Sequence, residues 1–248
     1  MTYRLALTAL RRGIAALCVL SSVAGCSGGP PTDADAVVLV HGLGRTAASM
    51  SVLGLRISDE GYRVVPFDYP STTETLDVLV DSLAAEVDRC CAVAGERVHF
   101  VTHSMGGVLV RAYLDRHGAD FEGHVVMLAP PNQGSELIDA FRDSDLLQTF
   151  LGPAGMQLGT DSAGVAASLG PVDFSLGIIA GNQSLNPLGS WLIPGDDDGK
   201  VSVERARIPG AVDFIVIPAT HTFIMNRGDV AREVVHFLRE GTFVQASR

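Results

Sequence analysis

The sequence predicts an α/β fold: a mostly parallel sheet with helices on both faces and a small cover insertion. Short apolar runs without polar alternation, such as VVLVH at Val37–His41, have the pattern of strands buried on both faces. Between them lie stretches with apolar residues at helical spacing, and that alternation implies parallel strands joined by helical crossovers. The rhythm breaks between Pro131 and Asp173, too long an excursion for an ordinary connection.

In order, VVLVH is the first strand, and an HGLGR turn leads to TAASMSVLGLRISDEG, a helix with Met50, Leu53, Leu55 and Ile57 at helical spacing. RVVPF is the second strand. ETLDVLVDSLAAEVDRCCAVAG is a long amphipathic helix with Leu76, Leu79, Val80, Leu83 and Val87 on one side, ending at Gly95. RVHFVTH is a strand, SMGGVLVRAYLDRHG a helix and HVVMLAP a strand. After the break, FSLGIIAGN and DFIVIPA are two further strands, and GDVAREVVHFLREG is a closing helix capped near Asp229. Within 131–173, ELIDAFRDSDLLQTFLG offers one or two short helices carrying Leu137, Phe141, Leu147, Phe150 and Leu151, and a stretch rich in small residues follows. Lying above the strand ends, this segment is a candidate cover or lid over a binding site, the alternative being a surface-packed insertion without function.

Composition is that of a folded protein, with 47% hydrophobic against 19% charged residues over a length of 248. The net charge is −10, Lys200 is the only lysine, and the arginines are scattered singly, so no basic patch is visible, which argues against nucleic acid as a partner. The amino terminus reads differently. Arg4, Arg11 and Arg12 precede an uncharged stretch from Gly13 to Gly25, too short to span a bilayer but suited to the core of a secretion signal. Its end, Val23-Ala24-Gly25-Cys26, resembles the bacterial lipobox, in which the Cys receives a diacylglyceryl group; a plain signal peptide is the alternative. Residues 1–25 are thus expected to be a lipoprotein signal peptide, Cys26 the lipidation site, 26–36 a flexible tether and 37–248 the folded domain. The protein would be exported and anchored by lipid to the bacterial cell envelope, on the periplasmic or extracellular side. Cys90 and Cys91 are adjacent and poorly placed to bridge, and are read as buried thiols on a helix. No Cys or His spacing suits a metal, and nothing in the sequence calls for a cofactor.

In an open parallel sheet, ligands bind beyond the carboxyl ends of the strands. His41 and Gly42 follow the first strand there, Ser104 the third and His221 the last, with Asp196, Asp197 and Asp198 in a loop after FSLGIIAGN. Ser104 alone could cap the helix that follows it. A nucleophile reading needs a sharp turn with small residues, and Gly106 and Gly107 follow. That turn would place the Met105 amide at a helix amino terminus, where it can donate to an oxyanion, and the Leu43 amide of HGLG would face the same spot. A serine hydroxyl also needs an imidazole to take its proton and a carboxylate to hold that imidazole.

The motifs LVHGLG, THSMGG, LAPPNQGSE, DGKVSVE and ATHTFIMN resemble those of small bacterial lipases and esterases of the α/β-hydrolase superfamily, in which serine, acid and histidine follow one another in this order. The resemblance implies Ser104 as nucleophile, His221 as general base, the Asp of the DGxV segment, Asp198, as triad acid, and Leu43 and Met105 as oxyanion donors. Asp197 is not excluded as the acid. Thr102 departs from the pattern, since it stands two residues before the serine where Gly or Ala is usual. The function implied is cleavage of carboxylic esters through an acyl-enzyme, with an ester or lipid as substrate. A thioesterase or acyltransferase on the same triad, or a non-catalytic lipid-anchored binding protein, are the alternatives.

Overall fold

A computed structural model describes residues 35–91, 95–162 and 164–244. The expected signal peptide, Cys26 and nearly all of the tether lie outside the described residues. Six strands form one sheet in which every pairing is parallel. They are β1 (Ala36–Val40), β2 (Arg63–Phe67), β3 (Val98–His103), β4 (His124–Leu128), β5 (Ser175–Gly181) and β6 (Asp213–Ile217), in the order β2-β1-β3-β4-β5-β6. The chain steps outward from β1 to β2 and then returns to the far side of β1 for β3. Its direction therefore reverses between β1 and β3, and the crevice beyond their carboxyl ends is where such sheets bind ligands.

Side chains alternate along each strand between two cores. In β1, Val38 and Val40 join a core under α2 (Leu76–Cys90) and α3 (Met105–His117), whereas Val37 and Leu39 join one under α1 (Ser51–Asp59) and α9 (Gly228–Glu240). In β4, Val125 and Met127 face the first core, and Val126 and Leu128 the second. Burial on both faces explains why these strands read as unbroken apolar runs. The helices are one-sided: α9 buries Val230, Val234, Phe237 and Leu238 and exposes Arg232 and Arg239. Its amino-terminal cap is Arg227, with Asp229 inside the first turn and ion-paired to Arg227. α2 is capped by Thr75, whose hydroxyl accepts from the Val78 amide.

The cysteine reading is corrected. α2 stops at Cys90, short of the expected Gly95, and Cys91 leaves helical geometry at φ −130° and ψ 27°. Cys90 and Cys91 are half-buried and disulfide-bonded to each other rather than free thiols inside a helix.

The excursion after β4 carries α4 (Glu136–Ala140), α5 (Asp145–Met156) and α6 (Val165–Ser168), with α5 broken at Gly152 just before Pro153. α7 (Pro187–Leu192) and α8 (Val203–Ala206) lie between β5 and β6.

Candidate active site

β3 ends at His103, and the backbone turns sharply at Ser104, whose φ of 55° and ψ of −126° lie in a region that non-glycine residues rarely occupy. α3 starts at the next residue. The turn is possible because its neighbours are small. A side chain at Gly106 would bring a Cβ within 2.6 Å of the carbonyl oxygens of Val40 and His41, and one at Gly42 would sit 2.8 Å from His103 Nδ1 and 3.0 Å from Ser104 Cβ. β1 and α3 can approach this closely only with hydrogen at those positions. Thr102 is fully buried beneath the turn, and its Oγ1 has no partner among the described residues. Gly107 leaves room above it, since a Cβ there would lie 3.3 Å from Thr102 Oγ1.

The Ser104 side chain does not cap α3. Its Oγ stands 2.9 Å from His221 Nε2, and His221 Nδ1 stands 2.7 Å from Asp198 Oδ2. These three residues come from the loops after β3, β5 and β6. The other Asp198 oxygen accepts from the amides of Lys200 at 3.0 Å and Val201 at 2.8 Å, and the His221 amide donates to the Asp198 carbonyl at 2.9 Å. The carboxylate is therefore fixed before it meets the imidazole. Asp197 faces elsewhere: its Oδ1 accepts from Ser190 Oγ at 2.7 Å and the Gly199 amide at 2.6 Å, so it braces the loop and makes no bond to His221. Asp196 is exposed.

Met105 is the first residue of α3, so its N–H is among those a helix leaves without an internal partner. The Leu43 amide likewise has no acceptor among the described residues. The Leu43 turn is braced by residues the sequence reading overlooked. The Tyr69 hydroxyl donates to the His41 carbonyl at 2.6 Å, the two rings stack at 4.1 Å, and the Gly44 amide donates to Ser71 Oγ at 3.0 Å. Tyr69 lies beyond the carboxyl end of β2, and that position was the available signal.

His103 was also missed, because a histidine beside a serine has no distinguishing spacing. It is 1% exposed, and its Nε2 lies 2.9 Å from the His221 carbonyl oxygen, which makes Nε2 the protonated nitrogen. Burial, and then the His221 charge, push its pKa well below the ordinary histidine value, so the ring is held neutral as a fixed donor to the His221 backbone.

A cleft of about 200 Å³ opens over Ser104 and His221. Its apolar wall comes from the insertion, through Leu137, Ile138, Phe141, Phe150, Leu151 and Leu158. Arg45, Ser135 and Lys200 are polar residues that also line it. No group of His, Cys, Asp and Glu side chains suited to a metal ion occurs among the described residues.

A model of the alpha/beta hydrolase family matches residues 37–233. Among solved structures, the chain is similar to lipase BlEst2 of Bacillus licheniformis in its mature form, with 22% identity and a TM-score of 0.66 over 80% of this chain and 89% of that one. It is also similar to phospholipase PlaB of Legionella pneumophila, with 17% identity and a TM-score of 0.63, covering 84% of this chain and 60% of that one. At these identities the likeness is one of fold. A comparison with curated proteins found no match.

Proposed function

The chain belongs to the alpha/beta hydrolase family, and from that premise we propose that it hydrolyses carboxylic esters through an acyl-enzyme on Ser104. The observation that carries the reading is the hydrogen-bonded line from Ser104 Oγ through His221 to Asp198, set on a strained turn. A hydroxyl is a weak nucleophile, and a base within hydrogen-bond reach activates it. Ser104 Oγ attacks the ester carbonyl while His221 Nε2 takes its proton and then returns it to the departing alcohol. Asp198 keeps the proton of His221 on Nδ1 and stabilises the imidazolium. The amides of Leu43 and Met105 receive the oxyanion, each worth about 2.7–4 kcal/mol of transition-state stabilisation. Water then enters, and His221 activates it to release the acid.

The insertion at 131–173 serves as the cover, and its apolar wall takes the acyl chain. Similarity to a lipase and a phospholipase supports a lipid-like ester as the substrate class. Anchoring at the cell envelope through Cys26 is part of this proposal and rests on the sequence of the amino terminus.

The test is covalent labelling by a fluorophosphonate combined with hydrolysis of p-nitrophenyl octanoate. The wild-type chain should label at Ser104, and Ser104→Ala should lose labelling and on the order of 10⁶ in kcat. A Ser104→Ala chain that turns over the ester at the wild-type rate overturns the proposal. So does a wild-type chain that neither labels nor hydrolyses, which would leave a binding protein.

A further inference from the structure

The electrostatics of the cleft run against those of the chain. The sequence holds 28 acidic residues against 18 Lys and Arg, yet no Asp or Glu lines the cleft, while Arg45 and Lys200 both do. Positive charge is otherwise largely neutralised: Arg63, Arg89, Arg97, Arg116, Arg142, Arg205, Arg207, Arg227 and Arg239 each pair with a carboxylate. Arg45 and Lys200 form no ion pair among the described residues. The side chain of Arg45 makes one hydrogen bond, from Nη2 to the Thr222 carbonyl at 3.3 Å, which leaves the rest of its guanidinium fork unused. The nearby Asp198 carboxylate is already engaged by His221 and two amides. Lys200 is exposed at the mouth of the cleft, and desolvation and then the Arg45 charge lower its pKa, with the Asp198 carboxylate opposing them. A cleft lined by one sign of charge with low-dielectric walls focuses its field on the ligand.

We propose that the ester taken by this site carries a negative charge, phosphate or carboxylate, on its alcohol portion, held between Arg45 and Lys200 while the acyl chain lies against Phe141, Phe150 and Leu151. The inference rests on the ester-hydrolase reading above and adds the substrate class. Chemically the step is unchanged. The ester C–O bond breaks, the acyl carbon gains the OH of water, and the anionic alcohol leaves with a proton delivered by His221. An unpaired ammonium and guanidinium beside the leaving group favour such a substrate by attraction that strengthens as the cleft excludes water.

Two matched pairs of esters test this on the full chain: 1-octanoyl-glycerol 3-phosphate against 1-octanoylglycerol, and octanoyl lactate against its methyl ester. The quantity read is the ratio of kcat/KM for the anionic and neutral member of each pair. In the wild type at least one ratio should exceed about tenfold, and whichever pair shows it identifies the anion as phosphate or carboxylate. Arg45→Gln and Lys200→Gln should each lower that ratio by about tenfold, the range for one charge-assisted contact. Lys200→Glu should bring it to one or below, and added salt should raise KM for the anionic member. Ratios near one in the wild type, or ratios the substitutions leave unchanged, overturn the inference, while hydrolysis of the neutral esters keeps the hydrolase reading intact. If none of the four esters is cleaved the inference falls, and if no fluorophosphonate label forms either, the hydrolase reading falls with it.

Discussion

Asp197 and Asp198 are adjacent and both buried, yet only Asp198 meets the imidazole, at 2.7 Å. Substituting each separately should therefore have different consequences. Asp198→Asn keeps the shape but removes the acceptor for the Nδ1 proton, and kcat should fall by about 10⁴, as in a comparable triad. Asp197→Asn weakens only the bonds to Ser190 Oγ and the Gly199 amide, so its effect should be on stability, about 1 kcal/mol, measured by urea unfolding. Equal losses of kcat in the two variants would contradict the assignment. The sequence pointed to Asp198 through the DGxV pattern but could not exclude Asp197, because side-chain direction in a loop depends on which amides the backbone offers. The doubt over whether Ser104 merely caps α3 was also beyond the sequence, since a strand, a serine and a helix are written the same way in both cases. The φ of 55° and the absence of a side-chain cap bond separate them. Thr102, which looked like an obstacle to the turn, fits because Gly107 leaves space above it.

The strands were legible to within a residue or two: the central ones are buried on both faces and so largely apolar, and the edge strands β2 and β6 keep apolar runs although Pro66 and Val216 are exposed. The connections were less so: where α2 stops and what Cys90 and Cys91 do depend on local backbone geometry that periodicity does not carry. The same holds for the attachment of the insertion, where the sequence offered apolar residues at helical spacing but no anchor. Arg111, on α3 and 2% exposed, supplies one by donating to the Asn132 carbonyl at 2.8 Å and the Gly170 carbonyl at 3.0 Å, near the two ends of the segment. Burial lowers its pKa to about 10, which still leaves it charged at neutral pH. Both ends of the insertion are thus tied to the helix that begins at the Met105 amide. Arg111→Met should cost about 1–3 kcal/mol, the range for buried acceptors left unmatched. It should also speed amide hydrogen exchange across 132–170 more than in β1 or β3. Exchange that rises evenly over the whole domain, or not at all, would show that Arg111 does not hold the insertion.

Two cores share one sheet, and several histidines lie buried near the ends of its central strands rather than in solvent. His41, His99 and His103 are at most 1% exposed, and in all three burial is the main cause of a lowered pKa, to about 4 for His99. Neighbouring charges modify this without reversing it. Asp35 favours the charged form of His99 while His124 and Arg97 oppose it, Asp68 favours that of His41 against Arg45, and His221, Arg45 and Lys200 oppose that of His103. A histidine in the unfolded chain takes up its proton near pH 6.5. Between that pH and the lower native values, the unfolded state binds protons that the native state refuses, so stability falls as pH falls. Well above about pH 6.5 these groups are neutral in both states and contribute no slope. Each contributes up to about 1.4 kcal/mol per pH unit once its unfolded form is protonated, and for His99 that contribution runs down to about pH 4. Urea unfolding free energies should therefore be flat with respect to these groups from pH 8 to 7 and should drop between pH 6.5 and 5, before most carboxylates titrate. The slope of that drop gives the number of protons taken up on unfolding, expected to exceed one, since burial lowers the pKa of His124 as well as those of His41, His99 and His103. A stability that holds level from pH 7 to pH 5 would mean that these rings accept protons in the folded chain, contrary to burial among the sheet and its helices.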